Sequence, residues 1–396
     1  MVKSIALFSS GLPDPRQGGS GIFNYLVCKE LLARGYKRKG YFRVGQDFMD
    51  KHCDVEIVKS LGAAGLEYEL VRESPQDLRY SLGSRLLFAN HHVDECRQAV
   101  RRCIAAGTVD RFISLDFGWA LALLEESQMK GVAIMGDPYA DRIRDALIGH
   151  WDSPSNYWNA LKWLSIRNWG APLRSALRPG VVIGHLSPGE AQSLSEQGVP
   201  CRHFRWCTED VASVPPKVQA ADRLVALHVG SLYTTASRSM LTYWKENLFS
   251  GLSKLPFTFE LRLVGKTEHQ VESKWPNIEV KNIGHVESLV DEFKRADLFF
   301  SPMKYPVGIR TRVLTAMSYG LPVLADPSIR RGLPEPKHGE SIFYCSSTEE
   351  VVATLLAAKS DKTLLRKVGE AGRKLWEDLY HPSKSIGAIV DATAAL

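Results

Sequence analysis

The sequence predicts an α/β protein made of two doubly wound, parallel-sheet domains. The chain has 396 residues, more than one ordinary core accommodates, so two domains of roughly 150–200 residues each are expected. Short apolar runs alternate with segments of helical period, which is typical of parallel sheets covered by helices. The alternation stops near Thr208–Ala221, where the Val-Pro-Pro-Lys run of residues 214–217 lies, and then starts again, which predicts a linker there.

In the first half, apolar runs predict buried strands and the segments between them predict helices. The strands are expected at Ile5–Phe8, Phe112–Leu115, Val132–Met135 and Val181–Ile183. The helices are expected at Ile22–Ala33, Ala120–Gln128 and Pro188–Gln197. Sheets of this kind bind ligands beyond the carboxyl ends of their strands, so functional residues are expected in the loops there.

The second half repeats the pattern. Its strands are expected at Leu224–Val229, Phe259–Val264, Leu298–Ser301 and Pro322–Ala325. Its helices are expected at Leu241–Leu252, Leu289–Ala296, Arg312–Tyr319, Glu349–Ala358 and Lys362–Leu379. The predicted domains are residues 1–207 and 208–380.

Composition and charge exclude several classes. Hydrophobic residues make up 44% and charged residues 24% of the chain, as in ordinary globular proteins, which disfavours disorder. The net charge of +6 comes without the concentrated stripe that nucleic-acid binding requires. Basic residues cluster only locally, at 34–39, 97–102, 310–312 and 330–331. Such clusters suit an anionic small substrate or an anionic membrane surface.

Cysteines and apolar runs indicate a cytoplasmic protein. The seven cysteines lack zinc-site or thioredoxin spacing, which predicts reduced thiols. The first apolar run is too short for a signal peptide, and no run approaches the ~20 apolar residues of a membrane span. No Asp-x-Asp pair follows a strand and no His/Cys cluster has ligand spacing, so neither a metal nor a cofactor is expected.

Glycine and polar residues follow the predicted strands of the second half. Gly230 and Gly265 each come directly after a strand, and residues 306–312 (Pro-Val-Gly-Ile-Arg-Thr-Arg) precede a predicted helix. A glycine at the mouth of a helix lets a phosphate reach backbone N–H groups, and arginines add charged donors. A glycine turn with solvated arginines is the alternative, because such turns occur throughout α/β proteins.

Five segments in order resemble the donor domain of a GT-B glycosyltransferase of the family 4 (group 1) type. They are Gly-Ser-Leu (230–232), Leu-Arg-Leu-Val-Gly-Lys (261–266), Asn-Ile-Gly-His-Val (282–286), Ala-Asp-Leu-Phe-Phe-Ser-Pro (296–302) and the run from Gly308 to Val323. The resemblance covers about residues 222–380. It implies two Rossmann-like domains that face a central cleft, with acceptor binding in the first and nucleotide-sugar binding in the second.

The resemblance also implies roles for single residues. Gly284, His285 and Val286 match the segment that contacts the nucleotide base. Arg238 and Lys266 match catalytic basic positions that neutralise the diphosphate. The loop that meets the phosphates corresponds to Gly308, Ile309 and Arg310, and Arg312 matches a position often held by Lys or Arg.

Two positions depart from the family pattern. The paired glutamates of the family are absent, and Thr315 stands where the second one would bind the ribose hydroxyls. A threonine hydroxyl can make single hydrogen bonds but cannot hold a diol as a carboxylate does. Ser231 replaces the arginine that usually follows the first glycine. The departures imply altered donor recognition or weakened activity.

In the first half, residues 17–21 (Gln-Gly-Gly-Ser-Gly) precede a predicted helix. By resemblance, Gly19 lies beneath the donor diphosphate and Gly18 faces the acceptor; a surface loop is the alternative. Asp137 follows a strand and is a candidate to orient or deprotonate the acceptor hydroxyl. Asp141 and Asp116 are further acceptor-binding candidates, and capping of a helix is the alternative for Asp137 and Asp141.

Two other segments bear on partners. Residues 150–174 interleave four tryptophans with basic residues, which fits either an interfacial helix that meets a membrane or an ordinary core. In the family, the last helix, here 381–396, crosses back onto the first domain.

The sequence thus predicts a metal-independent, retaining glycosyltransferase. It would move a sugar from a UDP- or GDP-sugar to a hydroxyl of a glycan or lipid-linked acceptor in cell-surface polysaccharide or glycoconjugate synthesis. Two alternatives stay open. One is a nucleotide-sugar epimerase, and the other is a non-catalytic partner subunit that binds a nucleotide or a glycan.

Overall fold

The computed structural model describes residues 4–15, 19–45, 55–63, 65–72, 93–135, 170–214, 222–232, 235–267, 270–303, 309–361 and 363–396. The chain divides into two compact units. Unit 1 is Met1–Cys207 together with Pro382–Leu396, and unit 2 is Thr208–His381. Each unit is built on one parallel sheet, which confirms the predicted fold class.

The sheet of unit 1 has seven strands in the order β3-β2-β1-β4-β5-β6-β7. The strands are β1 Ser4–Ser10, β2 Lys37–Val44, β3 Leu66–Arg72, β4 Arg111–Leu115, β5 Lys130–Met135, β6 Val181–His185 and β7 Cys201–His203. The register pairs Phe8 of β1 with Tyr41 of β2 and with Ser114 of β4. The strand order reverses next to β1, so the ends of β1, β2 and β4 lie side by side at a switch point.

Seven helices of unit 1 are described. They are α1 Gly19–Ala33, α2 Val55–Ala63, α3 Val93–Ala106, α4 Phe117–Glu126, α5 Gly170–Ala176, α6 Pro188–Glu196 and, from the end of the chain, α13 Pro382–Ala394. The apolar faces of α3 and α4 are buried against the sheet around Trp119 and Phe112. Burial of such faces supplies most of the stability of each helix.

The sheet of unit 2 has six strands in the order β10-β9-β8-β11-β12-β13. The strands are β8 Arg223–Val229, β9 Thr258–Val264, β10 Ile278–Gly284, β11 Leu298–Ser301, β12 Val323–Ala325 and β13 Phe343–Tyr344. Asp297 fixes the start of β11 to β8, because its Oδ2 accepts from the Val225 N–H at 2.7 Å. The Ala-Asp-Leu segment therefore has a structural role, since its aspartate ties β11 to β8.

The helices of unit 2 cover both faces of its sheet. They are α7 Thr235–Tyr243, α8 Phe249–Leu252, α9 Val290–Arg295, α10 Thr311–Ser318, α11 Thr348–Ser360 and α12 Leu364–Leu379. A π-helical turn, Trp244–Leu248, joins α7 to α8, and a 3₁₀ turn, Pro327–Arg331, follows β12. The helix predicted at Leu241–Leu252 therefore consists of three pieces.

Glycines 320 and 369 explain the Gly-x-Pro-Val end of the family-like run. Gly320 has φ +75°, and its N–H donates to the Met317 carbonyl at 2.9 Å as a helix C-cap. A Cβ at Gly369 of α12 would overlap the Gly320 carbonyl oxygen. Glycine at both positions therefore allows α12 to pack closely on the end of α10.

The basic cluster at 97–102 is neutralised by acidic residues. Arg97 lies 2.7 Å from Glu125, and Arg101 lies 2.8 Å from Glu126. Arg102 lies 2.7 Å from Glu69 of β3. These pairs correct the expectation that the cluster suits an anionic substrate or a membrane surface. In the described part of the chain, no helix is both long and apolar enough to cross a membrane.

Candidate functional site

Three neighbouring strands of unit 2 end on glycines with positive φ. Gly230 follows β8 and Gly265 follows β9, with φ of +147° and +137°, and Gly284 ends β10 with φ +77°. The Gly265 N–H donates to the Gly284 carbonyl at 2.7 Å. A Cβ at Gly265 would overlap the Gly230 carbonyl oxygen. The carboxyl edge of the sheet is therefore a row of backbone without side chains, which a ligand can approach closely.

The guanidinium group of Arg312 lies against this edge. Arg312 is the second residue of α10, and a Cβ at Gly230 would come within 2.7 Å of its Cζ. Its Nη1 is 2.8 Å from Nε2 of His228, the buried histidine near the end of β8. Nδ1 of His228 is 2.8 Å from the Phe300 carbonyl oxygen. A carbonyl only accepts, so Nδ1 carries the proton and Nε2 accepts from Arg312.

Burial sets the charges of this pair. Burial first, and the nearby Arg312 charge second, lower the pKa of His228 to about 3, so the imidazole is neutral. Burial also lowers the pKa of Arg312, yet an arginine stays protonated in proteins. Among the described residues, no carboxylate forms a salt bridge with Arg312. The pair therefore presents one positive charge that no described carboxylate compensates, at the edge formed by Gly230, Gly265 and Gly284 (the glycine edge).

The other described donor-site candidates of unit 2 follow strands of this sheet or lie directly before or within α10. Ser231 follows Gly230, and Lys266 follows Gly265 and accepts from the Leu232 N–H through its carbonyl at 2.9 Å. His285 and Val286 follow β10. The side chains of Ser231, Lys266 and His285 are exposed, whereas those of Val286, Ile309 and Arg310 are partly buried. Arg238 is exposed on α7.

Thr315 uses its only hydroxyl proton within α10. Its Oγ1 donates to the Thr311 carbonyl at 3.0 Å. The side chain is partly buried. A ligand hydroxyl would therefore meet a lone pair of Thr315 and no negative charge.

In unit 1, the structure groups Asp116 with two residues that sequence reasoning missed. Asp116 directly follows β4, and its Oδ2 accepts from the hydroxyl of Ser10 at the end of β1. Arg43 of β2 places Nη2 3.5 Å from the same oxygen. The other carboxylate oxygen caps α4 by accepting from the Trp119 N–H at 3.0 Å. A hydroxyl, a carboxylate and a guanidinium thus meet at the switch point of the sheet.

Several predicted residues lie outside the described part of the chain. They are Gly18, Asp137, Asp141 and Gly308, together with residues 150–169 of the tryptophan segment. Gly19 is described as the first residue of α1.

His228 is a candidate functional residue in unit 2 that sequence reasoning missed. The only sequence feature that could have pointed to it is a single histidine within the apolar strand Leu-Val-Ala-Leu-His-Val. Ser10 and Arg43 carried no signal, because they reach Asp116 only through the strand order.

Comparison with known proteins assigns the class. Residues 223–361 match the family model of glycosyl transferases group 1. Comparison with curated proteins gives no match. The structure of Anabaena Alr3699/HepE in complex with UDP is similar over 100% of both chains, with 14% identity and a TM-score of 0.64.

Two further structures are similar along the whole chain. Sucrose-phosphate synthase from Thermosynechococcus elongatus has 14% identity and a TM-score of 0.68 over 99% of this chain and 98% of that one. The lipopolysaccharide outer core galactosyltransferase WaaB has 10% identity and a TM-score of 0.62 over 99% of both. At these identities the structures show the fold, which is GT-B.

Unit 2 therefore carries a group 1 glycosyltransferase domain. Together with the GT-B fold, this domain identifies the chain as a glycosyltransferase.

Proposed function

We propose that the protein transfers a sugar from a UDP-sugar to a hydroxyl of a glycan or lipid-linked acceptor. The observation that carries the proposal is the guanidinium of Arg312 at the glycine edge of unit 2, where no carboxylate of the described residues pairs with it. A nucleoside diphosphate is a dianionic or trianionic group that such an edge can hold with backbone N–H groups and charged donors. That HepE was solved with UDP and with UDP-glucose supports uracil as the base.

The chemistry of transfer follows from where charge develops. When the bond from the anomeric carbon to the diphosphate breaks, negative charge grows on the leaving phosphate. Arg312 would stabilise this charge as a preorganised donor that does not reorient during the reaction. Lys266 and Arg238 are proposed to add exposed positive charge. We propose that no metal takes part and that the anomeric configuration is retained.

The acceptor is proposed to bind at the switch point of unit 1. Asp116 accepts from Ser10, so the lone pairs of the Ser10 hydroxyl can receive hydrogen bonds from a sugar hydroxyl. Asp137 stays the predicted group that orients or deprotonates the reacting hydroxyl. A role in cell-surface polysaccharide or glycoconjugate synthesis, a cytoplasmic location and membrane contact also stay predictions.

Nucleotide binding tests the donor site. The protein would be titrated calorimetrically with UDP, GDP, ADP, CMP and dTDP in EDTA, as the wild type and as Arg312→Ala. We expect UDP to bind and Arg312→Ala to weaken binding by about 10-fold or more, because a charged hydrogen bond is lost. Arg366→Ala is the matched control, since Arg366 is an exposed arginine of α12 that pairs with Glu370.

Two outcomes separate the alternatives. If no nucleotide binds, or if Arg312→Ala binds UDP as the wild type does, the donor site is wrong. If UDP binds but no UDP-sugar is turned over with any glycan or lipid-linked acceptor, a non-catalytic partner subunit is favoured. With a turned-over sugar, proton NMR of the anomeric centre in the product tests retention.

A further inference from the structure

His228 occupies a position in β8 where an apolar residue would be expected. The residues before it in the strand, 224–227, are buried apolar residues, Val229 after it is partly buried, and the imidazole itself has no exposed surface. Both ring nitrogens are used, Nδ1 on the Phe300 carbonyl and Nε2 on Arg312, each at 2.8 Å. A buried polar side chain with both groups satisfied in different elements is an oriented bridge between β11 and α10.

We propose that His228 is a positioning residue that holds the guanidinium of Arg312 toward the diphosphate of the nucleotide sugar. The inference rests on the proposed function of the site. His228 does not touch the ligand; it acts through Arg312. Without it, the arginine would lose the one side-chain acceptor that fixes Nη1 among the described residues.

A neutral acceptor suits this task better than a carboxylate. A guanidinium has five N–H donors, and His228 takes one of them. Because the imidazole is neutral, it leaves the positive charge of Arg312 undiminished for an anionic ligand. A carboxylate at the same place would fix the side chain but would cancel its charge. The site thereby combines fixed geometry with full charge, as preorganised electrostatic stabilisation requires.

The surroundings fix the imidazole itself. The Trp244 ring meets it edge-on, with centroids 5.1 Å apart, and Phe299 stacks on it at 5.7 Å. Nε1 of Trp244 donates to the Pro302 carbonyl at 2.7 Å, which holds the indole. The charged groups that act on His228 are Arg312 and Arg310, and both disfavour its protonation. Ring orientation and tautomer are therefore both set.

Two variants of His228 test the proposal. His228→Phe keeps the aromatic volume but has no acceptor for Arg312, and His228→Gln can accept with Oε1 while its amide donates to Phe300. We expect His228→Phe to raise the Kd for UDP about 10- to 100-fold and to leave the Kd for uridine, which has no phosphate, within about 3-fold. We expect His228→Gln to restore UDP binding to within about 5-fold of the wild type.

Trp244→Phe is the matched control. It removes a buried hydrogen bond next to His228 but leaves the contact with Arg312 in place. If general loosening of the core weakened UDP binding, Trp244→Phe would change the ratio of the UDP and uridine Kd values as His228→Phe does. We expect that ratio to stay within about 3-fold of the wild type in Trp244→Phe.

The variants distinguish failure of the proposed donor site from failure of the proposed role of His228. Arg312→Ala without effect on UDP overturns the proposed donor site. Arg312→Ala with loss of UDP binding, but His228→Phe with the UDP to uridine ratio of the wild type, overturns only the role of His228. Nitrogen-15 NMR of the wild-type imidazole gives a test that needs no variant to fold. A proton on Nδ1 and none on Nε2 is expected, and a proton on Nε2 overturns the proposal.

Discussion

At the scale of single residues, Asp116 has a backbone conformation that is unusual for a side chain other than glycine. It has φ +145° and ψ +168°, and among the described residues no other non-glycine has positive φ. Such a conformation costs on the order of 1–3 kcal/mol and persists where surrounding contacts hold it. Ser10, Arg43 and Trp119 supply those contacts.

Two single substitutions of Asp116, by alanine and by glycine, separate the energetic cost of its backbone strain from the loss of its hydrogen bonds. Asp116→Ala and Asp116→Gly lose the same hydrogen bonds, but only glycine relieves the strain. We expect Asp116→Gly to be about 1–2 kcal/mol more stable than Asp116→Ala in urea denaturation. At Asp326, a cap with φ −74°, glycine should exceed alanine only by the ordinary N-cap preference, about 0.5–1 kcal/mol. An equal difference at both positions would exclude strain at Asp116.

The buried His228 makes the free energy of unfolding depend on pH. Its pKa is about 3 in the folded protein and 6.5 in the unfolded chain. Between these values the unfolded chain binds a proton that the folded protein does not, so stability falls as the pH falls below 6.5. Relative to His228→Gln, which does not titrate, the wild type should lose up to about 1.4 kcal/mol per pH unit.

Chemical denaturation from pH 4 to pH 8 measures this difference. Above about pH 7.5, where the histidine of the unfolded chain is also neutral, the difference in unfolding free energy between wild type and His228→Gln should be constant. A difference that stays constant down to pH 4 would show that His228 titrates normally in the folded protein.

At the scale of elements, the glycines after β8 and β9 define the carboxyl edge of the second sheet. Gly265→Ala combines positive φ with overlap of the Gly230 carbonyl. Gly339→Ala has positive φ, +73°, but open space around the added methyl. We expect Gly265→Ala to lower the unfolding free energy by at least about 2 kcal/mol more than Gly339→Ala.

Calorimetry with UDP completes the Gly265→Ala comparison. If the edge holds the diphosphate, UDP affinity should fall in Gly265→Ala under conditions where both variants are folded. Gly339→Ala should bind as the wild type does. Equal UDP affinity in the two variants would show that the edge can shift without affecting the site.

The sequence predicted the central strands well but the outer ones poorly. The predicted run at Ile5–Phe8 became a buried strand because burial on both faces favours apolar residues there. The run at Phe259–Val264 also became a strand, although it includes Glu260 and Arg262, which pair with each other. The strand β2 begins Lys-Arg-Lys-Gly and was interpreted as a basic cluster. The edge strand β10 has exposed Lys281, and β13 has only two residues. These strands form by pairing with strands distant in sequence, and the hydrophobic periodicity of a short segment carries no information about such pairing.

The candidate site was also predictable only in part. Arg312 could be found because it stands within a motif of fixed spacing. His228, Ser10 and Arg43 could not, because each acts through a residue more than 70 positions away. Only the strand order brings such pairs together.

At the scale of the whole molecule, the last helix belongs to the first unit although the preceding helix belongs to the second. Ile386, Ile389 and Val390 of α13 are fully buried. The Ser385 hydroxyl donates to the Arg205 carbonyl. Residues that help to complete the core of unit 1 therefore follow all of unit 2 in the sequence.

Deleting residues 382–396 should destabilise unit 1 selectively. Each buried Ile or Val contributes about 1.5–3 kcal/mol, so unit 1 should lose at least about 3 kcal/mol. Hydrogen exchange should then show lost protection in α1, β4 and β5, which α13 packs against, and unchanged protection in β8 and β11 of unit 2.

Asp391→Ala is the control, because it removes only the ion pair with Arg34 on the exposed side of α13. It should change stability by less than about 1 kcal/mol, since exposed pairs contribute little. If the deletion and Asp391→Ala gave equal losses, or if unit 2 lost protection as unit 1 did, α13 would not be a core element of unit 1 alone.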